Sequence, residues 1–195
     1  MKKLSHDEIS EKRYTLENLH ETKKLPVYVL LNSIRSNYNV GSIFRTSDGA
    51  MIEKLYLCGY TPHPPKIEEQ IEEKKSTSGK KEILKTALGS TESVSWEYVK
   101  NPVDVIRMLR NDGVKICALE LTSKSKNYYD IKKSDFPLCL IVGNEITGVA
   151  QELIDMCDFS IEIPQYGIKQ SLNVAVAYGI AVFELRKIYN TTSNK

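Results

Sequence analysis

The sequence predicts an α/β domain with a mainly parallel sheet flanked by helices. Short β-branched or aromatic runs recur along the chain, helix-spaced apolar residues fall between them, and the runs are bounded by proline, glycine or asparagine. Strands that alternate with helices are the mark of parallel neighbours joined by crossover helices. At 195 residues, with 41% hydrophobic and 27% charged residues, the chain suffices for one such domain and its core but not comfortably for two.

Taken in order, Ser5 with Glu8 three positions on has the form of a capping box. It opens a polar helix expected over 5–23, so residues 1–24 are read as a helical extension ahead of a domain at 25–190. After Pro26, Val27-Tyr28-Val29-Leu30-Leu31 is the first strand, closed by Asn32. Residues 39–51 follow as a helix with Val40, Ile43 and Phe44 inward, and 55–58 as the next strand, which completes a βαβ unit. Between Gly59 and Ser93 the pattern breaks. Thr61-Pro62-His63-Pro64-Pro65 leads into lysines and glutamates around Ser76-Thr77-Ser78-Gly79, expected as a long mobile loop with room for a short helix. A helix over 102–111, strands over 114–119 and 138–142, a helix over 149–156 and a strand over 159–163 come next. The last element, 171–187, is apolar nearly all round, with Leu172, Val174, Val176, Ile180, Val182, Phe183 and Leu185. It needs cover from the core and from a second subunit, so a homodimer is expected.

Composition removes several classes of function. No apolar run approaches the roughly 20 residues of a membrane span, and the N-terminus lacks the apolar stretch of a secretory signal, so the cytoplasm is expected and a membrane is not. Cys58, Cys117, Cys139 and Cys157 are widely spaced inside apolar runs, as small buried hydrophobes are; disulfides and metal are not expected. A net charge of +2 neither demands nor excludes nucleic acid. The chain has no phosphate-binding loop ending in Gly-Lys-Ser/Thr, no Gly-x-Gly-x-x-Gly, no paired-His metal motif and no Cys-x-x-Cys. His6, His20 and His63 fall in expected tail or loop, which leaves a hydrolytic triad without a base.

Three polar clusters remain. The first, 37–49, places Asn39 where a helix N-cap would sit and Arg45 two turns inside; its plainer reading is a capped helix with a surface arginine, weakly paired to Asp48. The second, Leu140-Ile141-Val142-Gly143-Asn144-Glu145-Ile146-Thr147-Gly148, is a buried strand that opens into a glycine-flanked polar turn, and ligands of α/β sheets bind outside such strand ends. The third runs from Ile163-Pro164-Gln165-Tyr166-Gly167 to Ser171-Leu172-Asn173, where plain capping by Ser171 is the alternative.

Together and in this order, the clusters resemble the three motifs of the SpoU/TrmH branch of the SPOUT RNA methyltransferases. Asn39, Gly41 and Arg45 match the first motif; Gly143, Asn144, Glu145 and Gly148 the second; Ile163, Pro164, Gly167, Ser171, Leu172 and Asn173 the third. Lys85-Thr86-Ala87-Leu88-Gly89 is similar to the family's Thr-Ala-Leu-Gly loop. Ala175 and Gln165 depart from a frequent serine and methionine, and residues 67–81 look like an insertion. The resemblance implies a SPOUT fold with a C-terminal trefoil knot, an exception to ordinary chain topology. It implies S-adenosylmethionine as methyl donor, a ribose 2′-hydroxyl of RNA as acceptor (tRNA before rRNA) and a homodimer. Leu121, Gly143, Asn144, Glu145, Ile163, Ser171, Leu172 and Asn173 are carried over as donor-site residues, with Asn39 and Arg45 as catalytic ones. Glu145 and Asn173 are expected to brace the loops, and a valine at Gly143 to push into the donor pocket. A non-catalytic RNA-binding module with the same fold is the alternative, separable by calorimetry of donor binding; a nucleotide-dependent oxidoreductase lacks its glycine fingerprint.

Overall fold

The computed structural model describes residues 1–19, 22–65 and 78–191. The first strand, β1 (Leu25–Asn32), is followed by α2 (Asn37–Ala50), which a left-handed Met51 ends, turning the chain directly into β2 (Ile52–Cys58). Ahead of them lies α1 (His6–Ser10). Its capping box between Ser5 and Glu8 is present, but the helix expected over 5–23 stops at Ser10 because it buries nothing. A helix this short draws its stability from tertiary packing, and one that leaves even Ile9 exposed finds none.

Beyond β2 come α3 (Ser78–Ala87), α4 (Ser90–Ser93), β3 (Trp96–Val99), α5 (Pro102–Asn111), β4 (Lys115–Leu119), β5 (Lys126–Asn127), β6 (Leu138–Val142), α6 (Gln151–Ile154), β7 (Phe159–Glu162) and α7 (Val174–Thr191). The seven strands form one sheet in the order β3-β2-β1-β6-β4-β7-β5, with every neighbouring pair parallel. A late strand, β6, thus lies between β1 and β4, and β7 lies between β4 and β5.

Both faces of the sheet are covered, which is why its central strands are continuous apolar runs. On one face Val29 and Leu31 of β1 pack with Ile43 and Phe44 of α2, Ile83 of α3, and Tyr178, Val182 and Leu185 of α7. On the other, Leu30 packs with Val105, Ile106 and Leu109 of α5 and Leu153 of α6. The alternation of Leu30 against Val29 and Leu31 is the period of two of a pleated strand. Register then decides where the loops emerge. Leu31 pairs with Val142, Val142 with Leu119, and Leu119 with Ile161, so β1, β6, β4 and β7 end level along one edge.

The break expected over 59–93 contains α3 and α4, and β3 follows where no strand is expected. The charged stretch at 66–77 lies outside the described residues. Among its described residues helix α3 buries only Ile83 and Ala87, too little for an apolar stripe to show in sequence. What holds it is a close approach to α2, since a Cβ on Gly41 would stand 2.0 Å from Thr86 Oγ1 and 2.4 Å from the Ile83 carbonyl oxygen. The resembling Thr-Ala-Leu-Gly segment is the end of this helix and its turn, with left-handed Leu88 and Gly89.

Two helix starts differ from expectation. Ser36, not Asn39, caps α2, its hydroxyl accepting the Asn39 N–H at 3.3 Å, which leaves the Asn39 carboxamide for other partners. Asn173, not Ser171, caps α7, its side-chain oxygen accepting from Ala175 and Val176 N–H. The all-round apolar character of α7 is covered on one side by the core, while Val176 and Phe183 remain 52% and 50% exposed. Among the described residues no helix is long and apolar enough to cross a membrane, and no cluster of His, Cys, Asp and Glu could hold a metal ion.

Candidate active site

The level ends of β4, β6 and β7 border a cavity of about 650 Å³, completed by residues 163–172 and the first turns of α7. That volume lies within the range of about 300–1,000 Å³ typical of small-molecule sites.

The first wall is the turn at 143–148. The Asn144 N–H donates to the Gly148 carbonyl at 3.0 Å and the Gly148 N–H returns to the Asn144 carbonyl at 2.9 Å. Inside the turn the Asn144 side-chain oxygen accepts from the N–H groups of Ile146 (2.9 Å) and Thr147 (3.0 Å), while its Nδ2 donates to the Ser33 carbonyl (2.8 Å) and to Tyr60 Oη (2.7 Å). A Cβ on Gly143 would stand 2.2 Å from Gly148 C and Val149 N. The expectation that a side chain at 143 enters the cavity is therefore corrected: it would strike the backbone of the turn.

The second wall follows β4. Glu120 accepts from the Val149 N–H at 2.9 Å through Oε2 and from the Leu121 N–H at 3.1 Å through Oε1, so one carboxylate ties the loop after β4 to the turn after β6. Gly148, at φ +69°, lies so close that a Cβ would stand 2.3 Å from Glu120 Oε2. Glu120 is absent from the residues expected from sequence, although a polar group just past a buried strand is a signal that could have found it. The third wall is the 163–172 loop. Leu121, Ile146 and Leu172, at 69%, 73% and 39% exposure, hold apolar surface around the mouth.

A hydrogen-bond network then joins the three clusters. Glu145 accepts from the N–H groups of Arg35 (2.9 Å) and Ser36 (3.0 Å) and from Asn39 Nδ2 (2.9 Å), while Asn39 Oδ1 accepts from Asn173 Nδ2 at 3.2 Å. Partial burial pushes the Glu145 carboxyl upward, but the N–H groups of Arg35, Asn39 and Ser36 outweigh it and hold the group below the usual glutamate range.

Of the expected donor-site residues, Leu121, Gly143, Asn144, Glu145, Ile163, Ser171 and Leu172 line the cavity. Asn173 does not; it reaches the network through Asn39. Asn39 and Arg45 also lie outside the lining. Arg45 is exposed on α2, six positions beyond Asn39, and has no hydrogen bond or ion pair among the described residues. Asp48, its candidate partner, instead accepts from Ser93 Oγ at 2.5 Å.

Comparison with known proteins decides the family. Residues 26–183 match the SpoU rRNA Methylase family. The chain belongs to that family. A tRNA (guanosine(18)-2′-O)-methyltransferase of Aquifex aeolicus is 32% identical over 180 residues, covering 92% of this chain and 78% of that protein. The crystal structure of an A. aeolicus TrmH/SpoU tRNA modifying enzyme superposes with a TM-score of 0.74 at 30% identity, covering 95% and 86% of the two chains. An AdoMet-bound rRNA methyltransferase from Sinorhizobium meliloti superposes with a TM-score of 0.72 at 31% identity over 90% of this chain, which spans 61% of that one. In this SpoU domain one residue from each of the three polar clusters meets the others in the Asn39–Glu145–Asn173 network.

Proposed function

We propose that this chain methylates a ribose 2′-hydroxyl of RNA, tRNA before rRNA, with S-adenosylmethionine as donor. The observation that carries the reading is the network in which Glu145, a cavity residue, and Asn173, beside it, grip Asn39 on the helix that bears Arg45. The activities of these relatives, one on tRNA guanosine 18 and one on rRNA, support RNA as the acceptor class.

The cavity fits the donor. Leu121, Ile146 and Leu172 offer apolar cover for an adenine, the 143–148 turn and the 163–172 loop offer backbone polar groups, and the carboxylates of Glu120, Glu145 and Glu162 suit a cationic ligand. When bound, S-adenosylmethionine supplies a methyl on a sulfonium, an electrophile that needs alignment more than activation. Alignment is work for the chain's own groups and is worth several kcal/mol. Arg45, free of partners among the described residues, turns its planar fork of donors to the incoming ribose hydroxyl and an adjoining phosphate. A guanidinium is a poor proton acceptor, so its task is to orient the hydroxyl rather than to take its proton. Asn39, held from both sides, fixes the first turn of α2 and with it the line along which Arg45 projects.

The reading extends to assembly and topology. The exposed Val176 and Phe183 on α7 form the face through which two copies pair, and the segment after β6 threads into the family's trefoil knot. The cytoplasm, where its RNA is made and matured, is its place of work. The test is a map of ribose methylation in tRNA and rRNA from the source organism with and without the gene. One 2′-O-methyl missing from the deletion strain and restored by the gene supports the reading; unchanged ribose methylation throughout overturns it.

A further inference from the structure

Tyr60 is a surface tyrosine that the fold holds unusually firmly. Its side chain is 63% exposed, yet the turn that carries it is pinned on both sides. Before it, Gly59 sits at φ +65° against Ser33, where a Cβ would stand 2.2 Å from Ser33 Oγ. After it, Thr61 is buried, with its hydroxyl set between the Leu31 and Cys58 carbonyls and the Ile34 N–H.

The Tyr60 hydroxyl is fixed as well, and in a definite sense. Asn144 has its side-chain oxygen committed to the N–H groups of Ile146 and Thr147, so the amide orientation is set. Its Nδ2 has two hydrogens, and they go to the Ser33 carbonyl and to Tyr60 Oη. Tyr60 Oη is therefore the acceptor from Asn144 and keeps its own hydrogen, for which the described residues provide no acceptor. A rigidly seated aromatic face with an unspent O–H thus abuts the turn whose other side lines the donor cavity.

Resting on the reading of this cavity as the donor site of an RNA methyltransferase, we propose that Tyr60 contacts the RNA substrate beside the methylated ribose, its ring stacking on an unpaired nucleobase and its O–H donating to an acceptor of the same strand. Flat, sequence-tolerant stacking on an aromatic ring is how proteins hold single-stranded bases, and a ring ordered in advance loses little entropy on contact. Tyr60 contributes to the acceptor side of the reaction and not to donor affinity.

The experiment measures methyl transfer to total tRNA and rRNA from the deletion strain, with donor affinity by calorimetry, for wild type, Tyr60→Ala and Tyr60→Phe. Tyr60→Ala is expected to raise KM for RNA by about tenfold or more with donor affinity within about twofold of wild type. Tyr60→Phe, which keeps the ring, recovers most of that loss. An unchanged RNA KM in Tyr60→Ala overturns the proposal, and so does a parallel loss of donor affinity, which makes Tyr60 a brace for Asn144. Should wild type transfer no methyl to any RNA, the methyltransferase reading falls on its own. Retention of the same RNA on filters then decides Tyr60: weaker retention of Tyr60→Ala than of wild type upholds the contact, and equal retention removes it.

Discussion

Glu145 shows how one side chain can serve both structure and site. Its carboxylate collects the backbone N–H groups of Arg35 and Ser36 and the amide of Asn39, and these donors favour the charged form over the cost of partial burial. A group whose folded-state pKa is depressed contributes stability above its unfolded value and loses it as pH falls through the folded one. Donor affinity is therefore expected to persist while pH falls past about 4.3, where an ordinary glutamate protonates, and to decay only below that. Calorimetric titrations across the acid range check this. Glu145→Gln, which sets an amide against donors that need an acceptor, should weaken donor binding already at neutral pH. An acid limb centred at the ordinary glutamate value would contradict the network as described.

At the scale of elements, the site is made of strand ends and the turns that follow them, and its tightest piece is the 143–148 turn. Two glycines allow it: Gly143 passes beneath the Gly148–Val149 backbone and Gly148 sits on the Glu120 carboxylate. Gly143→Val is expected to cost about 1–3 kcal/mol of stability by overpacking and to abolish detectable donor binding, because the turn must move to admit the side chain. Denaturant unfolding and calorimetry on the same preparation check both effects. A variant with wild-type stability and affinity would mean that the backbone does not approach as closely as described. The sequence showed these elements unevenly. β6 was legible to the residue, because burial on both faces makes Leu138–Val142 an unbroken apolar run. β3 was not, because Glu97 and Tyr98 of Trp96–Val99 are exposed and pairing on one side alone imposes no pattern. α3 was hidden for a related reason: its place is set by the absence of a side chain at Gly41, which apolar periodicity does not register.

For the whole molecule, the fold brings together residues far apart in the chain: Asn39 and Glu145 meet because β6 lies beside β1, and Asn173 joins them because α7 packs on α2. The three polar clusters were legible in the sequence, but the ties of Glu120 and Tyr60 were not, since each joins a partner in the segment after β6 that no local spacing reveals. The exposed apolar face of α7 carries the expectation of a homodimer. Light scattering at micromolar concentration should give twice the chain mass, and Phe183→Glu, which places a charge on that face, should shift the population toward monomer. A wild-type monomer under those conditions would remove the pairing.

The central claim, that the cavity and α2 together present a methyl donor and a ribose hydroxyl to one another, rests most heavily on Arg45. The direct measurement is single-turnover transfer of labelled methyl, at saturating donor, to RNA from the deletion strain, with the product digested to nucleosides. Wild type should place the label on a ribose 2′-oxygen, and Arg45→Ala should keep its fold and donor affinity while transfer falls by about two orders of magnitude or more. Label on a base, or near wild-type transfer by Arg45→Ala, would contradict the account.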